Sequence, residues 1–126
     1  MHILITDDLF TNRIQIGIVL KGMGYTYDQA SNGDQAIALI LEKDYDLILM
    51  DIEMPVRNGL ETVAYIRNEM KGYKRDVPVI AITAHDPSDY FEHFMDHGFD
   101  GLINKPVNEL KINQIIDICK KVKRST

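Results

Sequence analysis

The chain has 126 residues, 45% of them hydrophobic and 26% charged, which suits one compact domain and leaves no room for a second of ordinary size. Its formal net charge of -5 argues against general affinity for nucleic acid, which depends on surplus Lys and Arg to neutralise phosphates. A lone Cys119 excludes an internal disulfide, no apolar run approaches the roughly 20 residues of a bilayer span, and MHILITDD has no basic leader before an apolar stretch.

In chain order, Ile3-Leu4-Ile5 is an uninterrupted apolar run of strand length. A helical period follows in Ile14, Ile18 and Leu20, with Ile16, Val19 and Met23 widening the face, and closes near Gly22 and Gly24. Tyr25 to Ala30 is a weaker strand with polar residues mixed in, and Ile37, Ile40 and Leu41 mark a second helix. Leu47 to Met50 is a second wholly apolar strand, followed by a helix carrying Leu60, Val63, Ile66 and Met70 that stops by Gly72. Val79 to Ile82 is the third such strand. Pro87 opens a fourth helical segment with Phe91, Phe94 and Met95, ending at Gly98, and Leu102-Ile103 makes a short last strand. Pro106 then precedes a final helix with Ile112, Ile115, Ile116, Cys119 and Val122.

Five β-α repeats with short connections predict an α/β fold, a parallel sheet with helices on both faces. Unbroken apolar strands are covered on both sides and belong at the centre. The expected order is therefore 2-1-3-4-5, a flavodoxin-like (βα)5 three-layer sandwich whose ligand crevice lies at the carboxyl ends of the strands.

Asp7-Asp8, Asp51 and Thr83 sit just past the ends of the central strands, and Lys105 follows the fifth. Neighbouring strands lie roughly 4.8 Å apart, so three carboxylates crowd into one place. They repel and raise one another's pKa unless a counter-charge intervenes. Mg²⁺ (or Mn²⁺) suits such a site, because it takes few protein oxygens and binds phosphate as well. A lysine and a hydroxyl on the other side complete the parts needed for phosphoryl transfer to an aspartate. Taken singly, Asp8 reads as the N-cap of the first helix, Asp51 as the start of the turn through Met54-Pro55 to Asn58-Gly59, and Lys105 as a solvated lysine. Their convergence on one sheet edge favours the functional reading.

The pair in ITDD, the segment LILMDIEMPVRNGLE, the strand end AITAH and Lys105-Pro106 together resemble response-regulator receiver domains, in order and over essentially the whole chain. NGDQAI, YDLILMD and AITAH are most similar to receivers of hybrid histidine kinases. The resemblance implies one receiver over residues 1–126, with Asp51 the phosphoacceptor and the metal held by Asp8, Asp51, the backbone carbonyl of Glu53 and, through water, Asp7. It implies that Lys105 and Thr83 contact the phosphoryl group, that the Lys105-Pro106 bond is cis, and that Glu53 and His85 tune dephosphorylation. Leu102 stands where the family often has an aromatic residue that moves with the threonine. The implied donor is a histidine kinase or histidine phosphotransfer protein. The implied output is a downstream protein reading the surface of the fourth helical segment, fifth strand and last helix. No direct nucleic-acid contact, no membrane insertion and a cytoplasmic location are expected, as a stand-alone regulator or as a segment of a longer hybrid kinase. An output domain is not expected within this sequence.

Two rivals fit less well. An aspartate-nucleophile phosphatase around Asp51-Ile52-Glu53 would resemble an Asp-x-Asp motif, and the acid pair on the first strand fits it poorly. A receiver that never accepts phosphate would lack an acid or the lysine, and neither is missing. His93 and His97, four apart, read as a solvated helix face because no third ligand accompanies them. Lys120, Lys121, Lys123 and Arg124 read as cations at a helix C-terminus.

Overall fold

The computed structural model describes residues 1–54, 58–84 and 97–121. Among these, β1 (His2–Thr6), β2 (Thr26–Ala30), β3 (Leu47–Asp51), β4 (Val79–Thr83) and β5 (Gly101–Asn104) form one parallel sheet in the order β2-β1-β3-β4-β5. Four helices are described: α1 (Phe10–Gly22), α2 (Gly33–Glu42), α3 (Gly59–Glu69) and the final helix, α4 (Glu109–Lys121), with a 3-10 turn at Gly72–Lys74. This is the flavodoxin-like α/β sandwich that the pattern predicts. The fourth helical segment of the sequence, with Pro87, Phe91, Phe94 and Met95, lies outside the described residues. So do His85, His93, Pro55, Arg57, Val122, Lys123 and Arg124.

Every position of β3 and β4 is buried, because helices cover both faces and each strand contributes alternately to two cores. One face gathers Ile3, Ile5, Leu47, Leu49, Ile80 and Ile82 against Ile16 and Leu20 of α1 and Ile112, Ile115 and Ile116 of α4. The other packs Leu4, Ile48, Met50, Val79 and Ala81 against Ala36, Ile37 and Ile40 of α2 and Val63 and Ile66 of α3. Each of the Leu, Ile, Val and Met side chains among them contributes roughly 1.5–3 kcal/mol when fully buried.

Two helix faces differ from expectation. On α1 it is Ile16 and Leu20 that enter the core, while Phe10, Ile14 and Ile18 form an exposed stripe at spacing four. On α2, Leu41 points outward. Apolar residues surround most of α1, so periodicity alone does not choose between its sides.

Away from the carboxyl ends of the strands, Arg67 near the end of α3 gathers several chain segments. Its guanidinium donates to the carbonyls of Gly98 (3.0 Å), Arg75 (2.6 Å) and Val77 (2.8 Å), and pairs with Asp100 Oδ2 at 2.8 Å. That same carboxylate oxygen accepts the Val79 N–H at the start of β4.

Candidate functional site

The parallel register places Thr6 of β1 opposite Met50 of β3. The residues that follow, Asp7 and Asp51, are therefore neighbours at the carboxyl edge of the sheet. Asp7 is fully buried, Asp51 nearly so and Asp8 partly exposed, and one carboxylate oxygen from each lies within 4.8 Å of the others. The three predicted acids do converge.

α1 holds Asp7 in place. Its Oδ1 accepts the Leu9 N–H at 2.9 Å, and the Asn12 amide donates to both carboxylate oxygens at 3.3–3.4 Å. Arg13 donates to the Asp7 carbonyl at 2.7 Å. The capping role read for Asp8 is not taken up: the N-cap of α1 is Leu9, with no side-chain cap bond. Asp7 instead accepts the N–H of that N-cap residue, and the Asp8 carboxylate is turned to the other two acids.

Asp51 is set by the turn behind it. Its Oδ1 accepts the Glu53 N–H at 3.1 Å, so it does begin a turn while ending a strand. Asn58 caps α3 in a reciprocal box with Glu61, and the Gly59 N–H donates to Ile52 O at 3.0 Å. A Cβ on Gly59 would sit 2.7 Å from the Asp51 carbonyl oxygen and 2.8 Å from the Ile52 Cα. Glycine is required there for close approach of α3 to the end of β3, not for a left-handed turn.

Lys105 faces the acids across the crevice, with Nζ 3.5 Å from Asp7 Oδ2 and 3.6 Å from Asp51 Oδ2. Its N–H donates to the carbonyl of Thr83 at 2.8 Å, tying the loop after β5 to the end of β4. The Lys105-Pro106 bond is cis. Thr83 is buried at its strand end, one residue beyond Ile82, which pairs with Asp51. Leu102, partly buried, packs against the core under α2 and α3. Glu53 is exposed.

The balance of charge is uneven: three acids face one lysine. Burial pushes the Asp51 carboxyl up to about 6, and neighbouring Asp7 adds to this. Lys105 and the Glu53 N–H oppose the rise without cancelling it, and Asp8 raises it further. A donor set made only of carboxylate oxygens, packed closely enough to repel, fits a hard divalent cation.

Sequence reasoning missed the residues around the loop that carries Lys105. Asn12, Gln15 and Ile16 of α1 line a groove of about 380 Å³ with Lys105, Pro106 and Val107. Gln15 Nε2 donates to Val107 O at 2.9 Å, and Lys111 Nζ to Asn104 O and Pro106 O. Amides and lysines that bind main-chain carbonyls leave no motif. The one legible signal was a lysine in the first turn of a helix, where the macrodipole disfavours it.

A sequence profile for the response regulator receiver domain matches residues 3–117. Hybrid signal transduction histidine kinase I of Dictyostelium discoideum is 32% identical over 130 residues, covering 98% of this chain and 8% of that protein. The chain thus spans a small part of such curated relatives. The response regulator TrrA of Thermotoga maritima, solved in complex with Mg(2+)-BeF, is 31% identical with a TM-score of 0.79, over 92% of this chain and 96% of that one. A receiver domain of a Pseudomonas aeruginosa sensor histidine kinase, with a magnesium ion coordinated in its active-site cleft, is 28% identical with a TM-score of 0.81, over 94% of both chains.

Proposed function

The chain belongs to the family of response regulator receiver domains of two-component signalling, and from that premise we propose that residues 1–126 form one receiver in which Asp51 accepts a phosphoryl group. The observation that carries this reading is the meeting of Asp7, Asp8 and Asp51 with Lys105 at one sheet edge.

The donor is a phosphohistidine on a histidine kinase or phosphotransfer protein. An Asp51 carboxylate oxygen attacks phosphorus in line as the P–N bond breaks, and the imidazole nitrogen leaves with the bonding electron pair. The product is an aspartyl phosphate. The Asp51 pKa of about 6 leaves the attacking carboxylate mostly ionised at neutral pH. Lys105 meets the anionic oxygens as charge spreads over them. Asp8, Asp51, the Glu53 carbonyl and, through water, Asp7 would hold a divalent cation, Mg²⁺ or Mn²⁺, which when bound supplies positive charge to the transferring group. Magnesium in the two solved relatives supports that occupant.

Thr83, one strand over, turns its hydroxyl to the new group. The surface of the fourth helical segment, β5 and α4 then changes packing for a downstream protein partner. Leu102 gives this coupling an aliphatic rather than an aromatic component, while Glu53 and His85 set how fast water removes the phosphoryl group. The domain promotes only its own phosphorylation and dephosphorylation and is no enzyme in the usual sense.

The test is intact mass after incubation with phosphoramidate and Mg²⁺. Wild type gains one phosphoryl group that alkali removes, as an acyl phosphate requires, and Asp51→Asn gains none. Labelling of the variant would move the acceptor elsewhere.

A further inference from the structure

The first turn of the final helix carries Glu109, whose sign suits the positive pole there, and with it a charge of the opposite sign. Lys111 lies in the first turn of α4, beside exposed N–H groups whose positive pole disfavours a cation. Its backbone N–H is satisfied by the Asn108 side chain at 2.9 Å. Its ammonium turns back from the helix and donates to the carbonyls of Asn104 at 3.0 Å and Pro106 at 2.9 Å. Those two residues flank Lys105.

A second tether comes from the opposite side. Gln15 of α1 donates to Val107 O at 2.9 Å, across 92 positions of sequence. With the bond from Lys105 N–H to Thr83 O, the loop is held from β4, α1 and α4 at once. Lysine is a long side chain with a freely rotating ammonium, so where Nζ falls depends first on where the backbone is held. We propose that Lys111 and Gln15 are positioning residues that hold the Asn104–Val107 backbone so that the Lys105 ammonium reaches the phosphoryl group on Asp51. This rests on the reading above that Lys105 contacts that group.

Because both act through Lys105, their effects depend on it. Phosphoramidate labelling in Mg²⁺, followed by intact mass, is measured for wild type, Lys111→Met, Lys105→Ala and the double variant. Displacement of a catalytic group by 1 Å can cost about a hundredfold, and a partial loosening is expected to slow labelling about tenfold in Lys111→Met. Lys111→Arg, whose guanidinium also donates to two carbonyls, restores most of the rate. In the Lys105→Ala background Lys111→Met has no further effect, since the group it positions is gone. Mg²⁺ affinity by calorimetry stays within twofold of wild type. A Lys111→Met rate equal to wild type overturns the proposal, and so does an equal loss in both backgrounds, which marks a general structural role. If Lys111→Met does not fold, Gln15→Leu put through the same cycle decides by the same criteria. Failure of the wild-type chain to label overturns the phosphoacceptor reading instead.

Discussion

Two aspartates of this chain show how surroundings reverse the behaviour of one functional group. Asp51 is pushed toward neutrality by burial and by another acid. At Asp28 burial is again the largest single influence and raises the pKa, but hydrogen bonds from Tyr45, His2 and Lys43 outweigh it and hold the carboxyl below its ordinary value of 3.8. Tyr45 OH and His2 Nε2 approach Asp28 Oδ2 at 2.7 and 3.0 Å, and the His2 ring stacks on Tyr45. An acid whose pKa falls on folding stabilises the fold above its unfolded value and loses that contribution as pH drops through the folded one. Asp28→Asn is therefore expected to cost roughly 1 kcal/mol or less at pH 7, given partial exposure, with the gap to wild type closing below pH 3.8. Urea melts across that range check it, and a gap that does not narrow as pH falls below 3.8 would refute the assignment. Residues of this kind were invisible in the sequence, because nothing in the spacing of His2, Asp28 and Tyr45 announces a contact. Asp7, Asp8, Asp51 and Lys105 were legible because each stands at or just past a strand end, where topology alone brings side chains together.

At the scale of elements, strands were easier to read than helix faces. Leu47 to Met50 and Val79 to Ile82 have no polar side, so burial on both faces was the only outcome consistent with them. The alternation Ile14, Ile16, Ile18 in α1 suits more than one helical face, and packing against β1 and β2 of the sheet selected Ile16 and Leu20. The junction from β3 to α3 depends on an absent side chain. Gly59→Ala is expected to destabilise the fold by about 1–3 kcal/mol, because its methyl meets backbone rather than a side chain that could move aside. It should also slow phosphoramidate labelling of Asp51, whose carbonyl it displaces. Chemical denaturation and labelling measured together check this, and a variant as stable as wild type would show that the turn has slack. The glycine was legible as a turn residue, but its reason was not, since close approach is a property of the assembled sheet.

At the scale of the whole molecule, among the described residues Asp7, Asp8 and Asp51 cluster at one end of the sheet with Lys105 against two of them. Adding Mg²⁺ is therefore expected to raise the unfolding temperature by several degrees, since a ligand bound only to the native state at a hundred times its dissociation constant contributes about 2.7 kcal/mol. EDTA should reverse the gain. Asp8→Asn should raise the midpoint without cation, by removing repulsion, and should blunt the response to Mg²⁺. Thermal melts by circular dichroism distinguish these outcomes, and a wild-type midpoint indifferent to millimolar Mg²⁺ would argue against a shared cation.

Arg67 gives the molecule a fulcrum. It ties the end of α3, the approach to β4 and the entrance to β5 through one guanidinium, and a partly buried charge deprived of its partners is costly. That knot resists slippage between the two strands where they begin. A rearrangement started at Asp51 is then expected to be taken up where they finish, as a tilt about a fixed point rather than a slide of the sheet.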